Sequence, residues 1–359
     1  MTKDKIILIG GGKKERQSNI EALRILSMLM VLNLHSFRGY IHGEGLYQFF
    51  DFFRESTSIC AVNVFVLISG YFGIKCRKKS CFNLLFQCAF YSFGVYFAAI
   101  GFGVIPFELM SFVKCFGCFI FSWGFITNYI VLYFLSPIIN KYVENVTEKQ
   151  LLVFIVLLFV IENTICITIN ILNFILLYLI GRFLQKVNVV ENTDKKPWRG
   201  FLLISFVIAL ITYFTYKYTP INTAALMCTF PLGFSYTSPF IILQAVLLFL
   251  CFARFSLSSK IVNWCAVSCL SIFLIHMHPV VKNYYYSFTE SLYDLNPIVH
   301  ISVLLLFIAS VFIGCILIDK VRIFISDLIY VLLSKIKDLL PERLFKLETY
   351  LPLVVKNII

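Results

Sequence analysis

The chain has 359 residues, of which 60% are hydrophobic and 39 are Phe, and its mean hydropathy is +0.87. A water-soluble domain has no interior large enough for that much apolar surface. The formal net charge of +12 does not require a nucleic-acid partner, because membrane orientation and anionic lipid account for a basic balance in so apolar a chain.

The apolar segments are continuous rather than alternating, which excludes a β-barrel and predicts an all-α, polytopic integral membrane protein. About ten transmembrane helices are expected, over roughly 20–37, 58–74, 81–105, 119–139, 151–170, 172–185, 200–217, 238–254, 261–277 and 297–318. Residues 1–19 read as a cytoplasmic tail, 20–318 as one membrane domain, and 319–359 as a second cytoplasmic tail.

In chain order, the tail motif "ILIGGGKKER" lacks the spacing of a phosphate-binding loop and carries Lys14 where Ser or Thr is needed. Its charged residues, and the lack of a small-residue cleavage site after the first span, argue against a signal peptide. The first span holds Glu21, Arg24 and His35, all expensive in hydrocarbon. Arg24 and His35 are eleven positions apart, so they share one helix face about 16 Å apart along the axis. Glu21 lies one turn before Arg24, at pairing distance.

The second span ends "AVNVFVLISGYFGIKCRKKS". It places Ser69, Gly70 and Tyr71 just before Lys75, Arg77, Lys78 and Lys79, a cluster suited to an anionic ligand or to ordinary membrane anchoring. Gly70 permits close approach of a backbone or a ligand, and no base adjoins Ser69 in sequence to make it a nucleophile. Residues 106–118 read as a loop or re-entrant piece, Asn170 and Asn173 as a turn, and "QKVNVVENTDKKPWRG" (185–200) as a linker between two halves. Beyond Lys320, "KVRIFISDLIYVLLSKIKDLL" has the spacing of an amphipathic helix lying on the inner leaflet, broken by Pro341.

With both termini inside, the cytoplasmic segments sum to about +14 and the external ones to about −2, the asymmetry that the positive-inside rule predicts. The twelve Cys are scattered, mostly within spans. Cys115 and Cys118 have CxxC spacing without a second pair or a His cluster, so no metal is expected.

Four motifs carry a resemblance to the membrane-bound acyltransferase-3 family, the O-acyltransferases of bacterial surface polysaccharides and related glycans. "NIEALRILSMLMVLNLH" resembles the family's acidic-x-x-Arg and Arg-x10-His signature, and "VNVFVLISGYF" its Phe-Phe-x-x-Ser-Gly-Tyr element. "NYIVLYFLSPIIN" (128–140) is similar to the Leu-Tyr-x-Leu-x-Pro span of the polysaccharide subgroup, and "SIFLIHMHP" to the family's Tyr-Leu-x-His-Pro stretch. Two positions depart: "KCRKKS" lacks the second Arg of the family's Arg-x-x-Arg, and Phe273 stands for Tyr.

The resemblance implies ten spans in a bacterial cytoplasmic membrane, with no hydrolase-like domain after the last. It also implies acetyl transfer from cytoplasmic acetyl-CoA to a hydroxyl of a cell-surface polysaccharide or lipid-linked glycan. Arg24, Ser69, Gly70, Tyr71, Lys75, Arg77 and Lys78 would then contact the donor, with Glu21 orienting Arg24. His35 would be the general base or an acetyl carrier, and His276 a group on the acceptor side. A polysaccharide or lipid-glycan transporter is the competing reading, since intramembrane charges serve transport as well. A sensor or scaffold has no need of an aligned Arg–His stripe.

Overall fold

The computed structural model describes residues 17–36, 45–118, 124–164, 170–192, 196–218 and 235–339. Among these, all regular structure is helical. In chain order the helices are α1 (Ser18–Ser36), α2 (Gly45–Ser58), α3 (Ala61–Phe72), α4 (Lys78–Gly101) and α5 (Leu109–Lys114). There follow α6 (Gly124–Asn145), α7 (Glu148–Thr164), α8 (Asn170–Lys186), α9 (Val189–Asn192) and α10 (Pro197–Tyr218). The last five are α11 (Pro239–Ala253), α12 (Lys260–Ala266), α13 (Cys269–His276), α14 (Lys282–Ser291) and α15 (Pro297–Leu339).

Helix boundaries follow local chemistry. Pro197, Pro239 and Pro297 open α10, α11 and α15, where a missing N–H costs nothing. A capping box starts α7: Thr147 Oγ1 accepts from the Gln150 N–H, and Gln150 Oε1 accepts from the Thr147 N–H. Gly73, at φ 69°, ends α3 and returns its N–H to the Gly70 carbonyl. The break between α12 and α13 is held by Lys320, whose Nζ donates to the Trp264 carbonyl at 2.6 Å and to Ser268 Oγ at 3.0 Å.

The expected apolar segments are largely helical where they are described, with turns inside them at 59–60, 102–105 and 267–268. Four stretches, Gly45–Phe72, Lys78–Gly101, Pro197–Tyr218 and Pro297–Leu332, are individually long and apolar enough to cross a membrane. Pro239–Ala253 and Lys260–His276 are shorter apolar helices. Leu305, Leu306, Ile313 and Phe324 of α15 and Val153 and Leu157 of α7 are exposed, forming outward surface that suits hydrocarbon and not water.

Two expectations change. Asn170 and Asn173 do not form a turn: both belong to α8, and Asn173 is buried among its apolar neighbours. The C-terminal amphipathic stretch is no separate surface helix, because α15 runs without interruption for 43 residues. At 1.5 Å per residue that is roughly 65 Å, about twice the hydrocarbon thickness, so its last turns extend beyond the core. Pro341 lies outside the described residues. The 106–118 piece forms α5 and a 3-10 turn, Cys115–Cys118, packed on α4.

Helix α1 sits among α2, α3, α11, α12, α13, α14 and α15, so its polar stripe is enclosed by protein. Behind it α3 and α8 pack at backbone contact distance through two glycines. A Cβ on Gly70 would lie 2.3 Å from the Tyr178 carbonyl oxygen, and one on Gly181 would lie 2.5 Å from that of Leu67. Small residues of this kind let membrane helices approach closely enough for dispersion to hold them.

Candidate active site

Arg24, Met28 and Val31 follow one another along one face of α1, and His35 lies one turn beyond. Arg24 Nη1 donates to Glu21 Oε1 at 2.9 Å. Glu21 is buried, whereas the Arg24 side chain keeps 34% of its surface accessible. The carboxylate therefore fixes the guanidinium while leaving donors for a ligand.

Arg24, Met28 and Val31 line a cavity of about 270 Å³ together with Ser69, Tyr129 and Phe273. Ser69 Oγ donates to the Phe65 carbonyl at 2.9 Å and lies 3.2 Å from the Tyr129 hydroxyl. That hydroxyl is thus committed locally, with no base beside it. Phe273 closes the far end: its ring lies 6.2 Å from that of His35 and 5.9 Å from that of His276.

Past Phe273 the two imidazoles meet. His35 Nδ1 is 2.8 Å from His276 Nε2, and His276 Nδ1 is 2.6 Å from the Ile272 carbonyl oxygen. A carbonyl only accepts, so His276 Nδ1 carries its proton and, in the neutral ring, Nε2 accepts. His35 Nδ1–H must then donate to it. This network assigns the lone pair of the pair to His35 Nε2, which makes that atom the available base.

The supports are local. Tyr285 OH donates to the Leu32 carbonyl at 2.7 Å, and its ring lies 5.6 Å from that of His276. Arg54 brackets the last turn of α1, donating to Asn33 Oδ1 at 2.7 Å and Ser36 Oγ at 2.9 Å.

The residues expected at the site divide. Arg24, held by Glu21, and Ser69 line the cavity, whereas His35 and His276 lie outside its lining, against Phe273. His276 is 1% exposed, with one ring nitrogen against the Ile272 carbonyl and the other against His35. Gly70 faces Tyr178 of α8, and the Tyr71 ring packs on Phe249 at 4.8 Å, so neither lines the cavity. Lys75, Arg77 and Lys78 are exposed around the start of α4, outside the cavity wall but at the same end of the bundle as Ser69. Tyr129 and Phe273 both fall within the motifs 128–140 and 271–279, but neither was expected to line a cavity with Arg24. Among the described residues there is no cluster of three His, Cys, Asp or Glu able to hold a metal ion.

An all-helical bundle with several long apolar helices and apolar side chains on its outer surface suits a multi-pass membrane protein. The chain belongs to the acyltransferase-3 family: that family's model, described as an acyltransferase domain, matches residues 17–320. It is therefore a membrane acyltransferase. Comparison with curated proteins and with solved structures gives no match.

Proposed function

We propose that the protein is an O-acetyltransferase of a bacterial cytoplasmic membrane, taking acetyl from acetyl-CoA at the Arg24 end and delivering it to a glycan hydroxyl at the His35 end. The observation that carries this reading is the stripe along α1, with the Glu21–Arg24 pair beside the cavity and the His35–His276 pair beyond Phe273.

A charged donor and a neutral acceptor need opposite surroundings. Arg24 supplies charge-assisted hydrogen bonds to the CoA end. Lys75, Arg77 and Lys78 form a basic rim that draws the phosphates toward the mouth. That assignment puts the N-terminus of α1 at the cytoplasmic face, in keeping with the charge asymmetry of the loops. The pantetheine arm then follows the stripe across about 16 Å of α1.

At the far end His35 Nε2 takes the proton of the acceptor hydroxyl while that oxygen attacks the thioester carbonyl. The C–S bond breaks, and the thiolate leaves with the proton returned by His35. The imidazolium that forms in between keeps its hydrogen bond to His276. An acetyl-His35 intermediate uses the same atom and differs in leaving label on the protein.

The test is transfer from radiolabelled acetyl-CoA in membrane vesicles to a panel of surface glycans. Label enters the glycan fraction with native protein and is lost with His35→Ala and with Arg24→Ala at equal expression. Undiminished transfer by His35→Ala removes the assigned base.

A further inference from the structure

Two walls of the Arg24 cavity lead on to the same short segment. On α3 the lining residues Val62, Phe65 and Ser69 recur at helical spacing, and the next position on that face is Gly73. On α6 they are Phe125 and Tyr129, and one turn further Tyr133 donates its hydroxyl to the Arg77 carbonyl at 3.3 Å. Both walls therefore run from the cavity to residues 73–77, the irregular stretch that joins α3 to α4.

Helices α6 and α8 hold that stretch in place. Asn140 Nδ2 donates to the Ile74 carbonyl at 3.0 Å, and the Ile74 N–H donates to the Tyr178 hydroxyl at 2.9 Å. That hydroxyl donates in turn to Asn140 Oδ1 at 2.8 Å. Each of the three oxygens thus already accepts a hydrogen bond. Arg182 reaches the same place from α8, with Nη1 3.0 Å from where a Cβ on Gly73 would lie, so a glycine there makes room for the guanidinium. Its Nε is buried without a hydrogen-bond partner.

Three other arginines that the bundle partly encloses each have a carboxylate three positions earlier: Arg24 with Glu21, Arg54 with Asp51 and Arg322 with Asp319. Arg182 has Leu179 there, and among the described residues its guanidinium makes no hydrogen bond or ion pair. An unpaired cation inside a helical bundle is costly, so its counter-charge is expected in a ligand.

We propose that Arg182 binds a phosphate at the mouth of the Arg24 cavity, and that this phosphate belongs to the CoA donor. The donor assignment rests on the function proposed above; the phosphate site does not. The planar guanidinium matches two phosphate oxygens at once. Lys75 and Arg77 on the exposed rim attract phosphate from a distance, whereas Arg182 fixes one group in place. An anionic lipid headgroup offers the same phosphate but has no arm to follow α3 and α6 inward to Arg24.

The experiment uses the full chain in phosphatidylcholine nanodiscs. Arg182→Met keeps an apolar stem and removes the charge, and Arg182→Lys keeps the charge and loses the fork. Radiolabelled CoA should bind Arg182→Met about 10–150-fold more weakly than native protein, with Arg182→Lys between them. ADP, which carries phosphates but no pantetheine arm, should raise the unfolding temperature of native protein and not that of Arg182→Met. Without ligand, Arg182→Met should unfold no lower than native, because the charge removed has no partner. A lower temperature would mark the side chain as structural and overturn the site. Unchanged CoA affinity in Arg182→Met also overturns the site, and leaves the transfer reaction standing. CoA binding that depends on Arg182, without acetyl transfer to any glycan, upholds the site and defeats the reaction. Phosphatidylglycerol in the same discs tests the other source. If it alone stabilises the protein through Arg182, and neither CoA nor ADP binds, the phosphate is a lipid's and the donor assignment falls.

Discussion

His35 and His276 are 241 positions apart in the chain, yet their imidazoles share a hydrogen bond of 2.8 Å. The Ile272 carbonyl fixes the proton on the far nitrogen of His276, and so fixes which nitrogen of His35 stays free. His276 is therefore argued to act through His35, by holding its tautomer and its ring orientation.

This assignment makes a graded prediction. His35→Ala removes the base and should lower kcat by about 10²–10⁴-fold. His276→Ala leaves the base present but unheld, so the loss should be smaller, with the KM for acetyl-CoA unchanged. His276→Gln keeps a side-chain oxygen able to accept from His35 Nδ1–H and should recover part of the rate. Steady-state kinetics on the three purified variants check this. A His276→Ala variant with native kcat would mean that the pair is only a packing contact.

At the other end of the stripe, Arg24→Ala should raise the KM for acetyl-CoA while the rate at saturating donor falls far less. A hydrogen bond to a charged group contributes about 1.5–3 kcal/mol, which corresponds to a KM roughly 10–150-fold higher. Glu21→Gln keeps an oxygen within reach of Arg24 but loses the charge, so its KM should lie between native and Arg24→Ala. Donor titrations at fixed acceptor measure both. An unchanged KM in Arg24→Ala would place the CoA end elsewhere.

The stripe itself was legible in the sequence, because Glu21, Arg24 and His35 lie on one helix and helical period alone sets their faces. The apolar segments were legible for the same reason: hydrocarbon demands long uninterrupted runs. What no local pattern carries is a contact between distant segments. The His35–His276 bond and the Ser69–Tyr129 approach both arise from how helices pack. Gly70 shows the limit most clearly, since glycine allows close approach without saying of what. The neighbour is Tyr178 of α8, not a ligand. Asn170 and Asn173 misled because a turn-forming residue type is also tolerated inside a helix whose packing outweighs propensity.

The Gly70 correction can be measured directly. Gly70→Ala places a methyl 2.3 Å from a backbone oxygen, where no side-chain rotation relieves the contact. Gly181→Ala meets the same problem at 2.5 Å from the Leu67 oxygen. Overpacking of this kind typically costs about 1–3 kcal/mol. Both variants should lower the unfolding temperature in detergent, while the surviving folded fraction keeps the native KM for acetyl-CoA. A normal unfolding temperature with a raised KM would restore Gly70 as a donor contact.

A last prediction concerns Asp319, which is fully buried where α15 crosses α4 and α13. It accepts from Arg322 Nε at 2.6 Å, from Tyr91 OH at 2.8 Å and from Ser271 Oγ. Ser271 in turn accepts from Gln87, so one carboxylate ties three helices together. Breaking such a pair by removing one partner leaves the other charge buried and costs about 3–5 kcal/mol. Asp319→Ala should accordingly cause a large fall in unfolding temperature, and Asp319→Asn a smaller one, because an amide oxygen still accepts while the charge attraction is lost. None of these groups lines the Arg24 cavity or touches His35, so kcat per folded molecule should stay near native. Ser271 lies five positions before His276 on α13, so the alternative outcome is informative. If Asp319→Asn kept its stability but lost turnover, the network would be holding the register of α13, and with it the angle at which His276 presents its nitrogen to His35.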